Sequence, residues 1–161
     1  MYKHILYPTD GSAGSEAAIE HVREIAEAFD ATVHVLHVVD TRQFSLGMSG
    51  NYISGPKGYS NRDRPSEDDR KRELEERATP FVEELAADFE GIETIPAVRE
   101  GNPHAVILEY IDENDIDLVV MGTEGRTGVE RYLLGSVSEK VVRLADPPVV
   151  TVRADADEED E

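Results

Sequence analysis

Short runs rich in β-branched residues alternate with apolar residues at helical spacing along the whole chain. That alternation restricts the fold more than any other feature. His4-Ile5-Leu6-Tyr7-Pro8 is a short apolar run closed by the turn signal Pro8-Thr9-Asp10-Gly11. Ala18, Val22, Ile25, Ala26 and Phe29 then recur at helical spacing. Thr32 to Val39 reads as a second strand, and Leu74, Ala78, Phe81, Val82, Leu85 and Phe89 mark a second helix. Ile92 to Val98 is predicted as strand three. Ala105, Leu108 and Ile111 follow as a helix, with Pro103 in its first turn. Asp117 to Met121 is almost wholly apolar, which predicts a central fourth strand. Val137, Val141, Leu144 and Ala145 give a last helix before strand five, Pro148 to Val152. Strands alternating with helices of ten or more residues specify an α/β domain. It has three layers, a five-stranded parallel sheet with helices on both faces.

A chain of 161 residues fits one domain with a core of its own. It contains no cysteine, so neither a disulfide framework nor a thiolate metal site can form. No apolar run approaches the roughly 20 residues of a membrane helix, and Met1 to Leu6 lacks the apolar region of a signal peptide. These features predict a soluble, cytoplasmic protein. The net charge is −19, and removing the six acids of residues 154–161 leaves −13 on the rest. Such a body repels nucleic acid and anionic lipid, which argues against both as partners. The acids are dispersed, and the bases are 12 Arg against 4 Lys. This is the pattern expected of adaptation to high intracellular salt, as in halophilic archaea, where screening relieves self-repulsion.

Two segments stand apart from the domain at residues 1–153. Residues 41–66 carry Gly47, Gly50, Gly55 and Gly58 among serines, and are predicted to be a flexible, disordered insert rather than a lid. Residues 154–161 are predicted to be a disordered acidic tail.

In an open parallel sheet, ligands bind beyond the carboxyl ends of the strands, where the strand order reverses. The segment after strand four runs from Gly122 through Gly125 and Arg126 to Gly135-Ser136-Val137-Ser138. Glycines let backbone approach a ligand, and a helix N-terminus presents unpaired N–H groups to phosphate. Ser136 and Ser138 add hydroxyls, and Arg126 adds charge. Each residue also has a plainer reading: turn glycines, a helix-capping Ser136, a solvated Arg126, and an Asp10 that only caps the following helix. Their gathering after a central strand and before a helix favours a binding loop.

The spacing Gly122-x2-Gly125-x9-Gly135-Ser136 resembles the G-x2-G-x9-G-[S/T] loop of ATP-binding universal stress proteins. Ile5 to Ser12, Leu36 to Asp40, Asp117 to Gly122 and Pro147 to Val152 resemble other motifs of that family, in the same order. The resemblance spans residues 2–153, apart from the insert. It implies a sheet of order 3-2-1-4-5, of the adenine nucleotide alpha hydrolase-like kind, and a homodimer through the fifth strand. It implies ATP as ligand, with magnesium or manganese beside the phosphates. Pro8, Thr9 and Asp10 would lie near the adenosine, and Val38 would offer backbone groups to the adenine edge. Met121, Gly122, Gly125 and Arg126 would line the ribose and phosphates. Gly135, Ser136, Val137 and Ser138 would bind the phosphates. Glu124 departs from the His that many members carry, and places a carboxylate between the two glycines.

The implied function is a stress-response regulatory switch or dimeric signalling module. The alternatives are an interaction module that binds no nucleotide and a slow ATPase. The chain has no H-x-G-H motif in its first turn, no P-loop and no G-x-G-x-x-G after strand one. No nucleophile–base pair is evident, so any ATP hydrolysis is expected to be slow.

Overall fold

The computed structural model describes residues 1–10, 13–40, 67–123 and 135–153. The chain runs β1 (His4–Pro8), α1 (Ala13–Glu16), α2 (Ile19–Phe29), β2 (Thr32–Asp40), α3 (Glu67–Ala87), β3 (Thr94–Gly101), α4 (Pro103–Glu113), β4 (Leu118–Gly122), α5 (Ser136–Leu144) and β5 (Val149–Val152). The five strands are parallel, as the residue pattern predicts, and lie in the order β3-β2-β1-β4-β5 that the family resemblance implies.

The strand period of two sorts the core onto two faces. Ile5, Tyr7, Val33, Val35, Leu118 and Val120 point to one face, where Val22 and Ala26 of α2 and Val82 and Ala86 of α3 cover them. Leu6, Leu36, Val119 and Met121 point to the other, under Ile107, Tyr110 and Ile111 of α4 and Val141 of α5. Leu118 to Met121 are all buried, which confirms β4 as an interior strand. Burial on both faces is why its sequence lacks polar alternation.

Three boundaries differ from the sequence reading. The first helix is preceded by a separate turn of helix, α1, set off by a turn at residues 17–18. Strand three is displaced from Ile92–Val98 to Thr94–Gly101. Ile92 instead packs beside the first-face core, after a turn in which Gly91 has φ +79°. The charged Arg99 and Glu100 are drawn into β3 because their backbones pair with Val38 and Val39. The second helix begins at Glu67, directly after the predicted insert. Among the described residues no helix is long and apolar enough to cross a membrane.

Candidate functional site

The strand order reverses between β1 and β4, which lie side by side. The chain leaves β1 toward the face of α2 and re-enters from β4 on the face of α5. The two exits therefore diverge at the carboxyl end of the sheet, the place where an open parallel sheet forms its ligand crevice.

On the β1 side, Thr9 is held at every polar group. Its N–H donates to the Leu36 carbonyl at 2.8 Å, extending the ladder one residue past Pro8. Its Oγ1 accepts from Ser15 Oγ at 2.6 Å. The Tyr7 hydroxyl donates to the Ser15 carbonyl at 2.7 Å, and burial pushes the phenol upward in pKa. The Thr9 carbonyl accepts from His37 Nδ1 at 2.8 Å, which fixes a proton on that nitrogen. Pro8 and Thr9 are buried, and Asp10, the next residue, is half-buried at the rim. Nothing in the strand pattern signals this bond; the His37 imidazole is half-buried and lies edge-on to Phe81, 5.5 Å away.

Beside this anchor lies Val38. The N–H of Thr32 donates toward β1 and that of Val33 toward β3. Alternation along β2 therefore turns the N–H and C=O of Val38 toward β1, at a level where β1 has already ended. Its side chain packs against the second-face core.

On the β4 side, Met121 is buried and Gly122 ends the strand, level with Val152 of β5. Thr123 is buried, and its N–H donates to the Val152 carbonyl at 3.0 Å. Its own carbonyl accepts from the Gly135 N–H at 2.6 Å, which ties the two ends of the 124–134 segment together. Gly135 is the N-cap of α5 in an extended conformation, with φ −62° and ψ 159°. Ser136 is exposed and Val137 half-buried. Ser138 is buried, and its hydroxyl faces the carbonyls of Gly135 at 3.1 Å and Thr123 at 3.4 Å. It therefore serves the loop's own backbone rather than standing open to the crevice.

The structure thus brings Pro8, Thr9, Asp10, Val38, Met121, Gly122, Gly135, Ser136, Val137 and Ser138 to one end of the sheet. Gly125 and Arg126, with Glu124, lie outside the described residues, as do the 41–66 insert and the 154–161 tail. Among the described residues, no group of three or more metal-ligating side chains gathers.

A model described as the universal stress protein family matches residues 1–153. Universal stress protein MJ0577 of Methanocaldococcus jannaschii is 32% identical over 155 residues, covering 95% of this chain and 96% of the other. Universal stress protein MJ0531 of the same organism is 36% identical over 156 residues, covering 95% of this chain and 83% of the other. The solved structure of MJ0577 superposes with a TM-score of 0.71 at 30% identity, covering 96% and 98% of the two chains. Two more distant structures share the fold: a universal stress protein in complex with cAMP, and one from Arabidopsis thaliana with AMP bound. The first has a TM-score of 0.63 at 22% identity over 96% of this chain and 99% of that one. The second has 0.60 at 20% identity over 97% and 94%.

Proposed function

The chain belongs to the universal stress protein family, and from that premise we propose that it binds ATP at the β1–β4 crevice and acts as a cytoplasmic regulatory switch. One observation carries this reading. Two different kinds of recognition element face one crevice: the outward backbone of Val38 beside the anchored Thr9–Asp10 turn, and the N-terminus of α5 at Gly135-Ser136. The first suits a base edge and the second suits phosphate. The related fold carries cAMP and AMP in the two distant structures. Magnesium or manganese would accompany the triphosphate, whose oxygens are the usual ligands of such an ion.

The unequal sheet edges support a homodimer. β3 exposes Pro96, which cannot donate to an added strand, beside the charged Arg99 and Glu100. β5 is Val-Val-Thr-Val with no such guard. A twofold pairing through β5 would cover it.

Identification of co-purified nucleotide by mass spectrometry, followed by calorimetry with ATP, tests the reading. A nucleotide-free protein that takes up no ATP heat would reject it. Phosphate release far below the roughly 10 per second of a median enzyme is expected. Release near that rate would make the protein an enzyme rather than a switch.

A further inference from the structure

We infer that His37 is a positioning residue for base recognition: by capturing the Thr9 carbonyl, its imidazole keeps the Val38 N–H out of the sheet ladder and available to a ligand. The parallel ladder between β1 and β2 proceeds in order up to the bond from Thr9 N–H to the Leu36 carbonyl. The next rung of a parallel ladder would run from the Val38 N–H to the Thr9 carbonyl. Among the described residues that bond is not made. The Thr9 carbonyl instead accepts from His37 Nδ1 at 2.8 Å.

The substitution has a clear geometric basis. Residue 37 projects its side chain to the face of α3, where Phe81 meets the ring edge-on at 5.5 Å and fixes its plane. The carbonyl must leave the plane of the sheet to meet that ring. Thr9 can hold the turned position because its hydroxyl is bonded by Ser15, itself tied to Tyr7. A backbone N–H at the crevice is left facing the end of β1. It matches a ring-nitrogen acceptor on a planar heterocycle, and its fixed direction discriminates between bases that present an acceptor or a donor there. Without the imidazole, the Thr9 carbonyl loses the bond that turns it aside and can close the ladder onto Val38, consuming that donor.

This inference rests on the reading of the crevice as a nucleotide site, so the test has one arm that needs no ligand. Amide hydrogen exchange at Val38 is expected to be fast in the parent and protected in His37→Leu, where the ladder closes. The second arm compares ATP, GTP and inorganic tripolyphosphate by calorimetry. His37→Leu is expected to weaken ATP by roughly two- to tenfold, one hydrogen bond's worth, and to erode the preference for ATP over GTP. Tripolyphosphate binding should not move. His37→Asn, which keeps an N–H donor near the Nδ1 position, should restore both exchange and preference. A Val38 amide equally protected in parent and His37→Leu overturns the inference whatever binds. Parallel losses for ATP and tripolyphosphate also overturn it, because they mark a general structural role. A parent with fast Val38 exchange that binds no ATP overturns the nucleotide reading, and the role in base recognition falls with it.

Discussion

The Gly135 N–H donates to the Thr123 carbonyl at 2.6 Å, and a Cβ at position 135 would stand 2.6 Å from that same oxygen. Real Cβ atoms do not approach backbone oxygen so closely. The glycine is therefore required by the loop's own closure before any ligand arrives. The sequence reading gives this glycine to close approach of phosphate; among the described residues the atom nearest a Cβ there is the Thr123 carbonyl oxygen. Its φ of −62° is ordinary, so contact rather than backbone conformation demands glycine.

Gly135→Val is accordingly expected to destabilise the fold, by about 1–3 kcal/mol as an overpacking change, and loss of binding in it would not by itself locate the phosphates. Ser136→Ala is the cleaner probe, because the side chain is exposed. It should leave the urea midpoint unchanged and weaken ATP by about 0.5–1.5 kcal/mol in calorimetry. An unaltered affinity would remove this hydroxyl from the site.

Acid should destabilise the protein through His34. Its Nε2 lies 3.1 Å from His4 Nδ1, and its Nδ1 lies 2.7 Å from the Tyr110 hydroxyl. Arg99 sits over the Tyr110 ring at 5.6 Å, and the Asp117 carboxylate accepts from the His4 backbone N–H. Burial, and then the neighbouring His4, hold the His34 pKa below its ordinary value. The unfolded chain takes up this proton as pH falls through about 6.5, while the folded chain resists until lower pH. The unfolded state then binds more protons, so stability drops below that point, by up to about 1.4 kcal/mol per pH unit. Melting temperatures from pH 7.5 to 5 should fall more steeply in the parent than in His34→Gln. Equal slopes would show that His34 contributes no pH dependence.

Stability should rise with salt. A body charge of −13 repels itself, and added ions screen that repulsion. Thermal melts from low to multimolar KCl should climb steadily. A flat profile would leave the dispersed acid without an adaptive role.

Thr151→Pro should give a folded monomer. The carbonyls of Pro148 and Val152 accept from the N–H groups of Val119 and Thr123, so alternation turns the N–H of Thr151 to the open edge of the sheet. Proline there removes an outward donor and leaves the ladder to β4 intact. Light scattering should find the parent dimeric and the variant monomeric, with matching circular dichroism. A monomeric parent in high salt rejects the β5 pairing.

The α/β class, the parallel sheet and the interior place of β4 are all contained in the alternation of strand and helix periods. These follow from which residues can face a core at periods of two and 3.6, and that information is local. The glycine motif and the ends of β1 and β2 were also legible, and with them most of the candidate site. The bonds that give the site its form arise from packing between distant parts of the chain. His37 meets Thr9 across 28 residues, Gly135 meets Thr123 across a segment of eleven, and His34 meets both His4 and Tyr110. Each depends on strand register or on which helix covers which face. His34 stands level with Leu6, which places it diagonally from His4 on one face of the sheet. A shift of one residue would send either side chain to the opposite face. The same dependence moved β3 past Val98, since the backbones of Arg99 and Glu100 pair with β2 whatever their side chains prefer. Pattern along a chain records what each residue prefers, whereas a hydrogen bond between distant residues exists only once packing has fixed both ends.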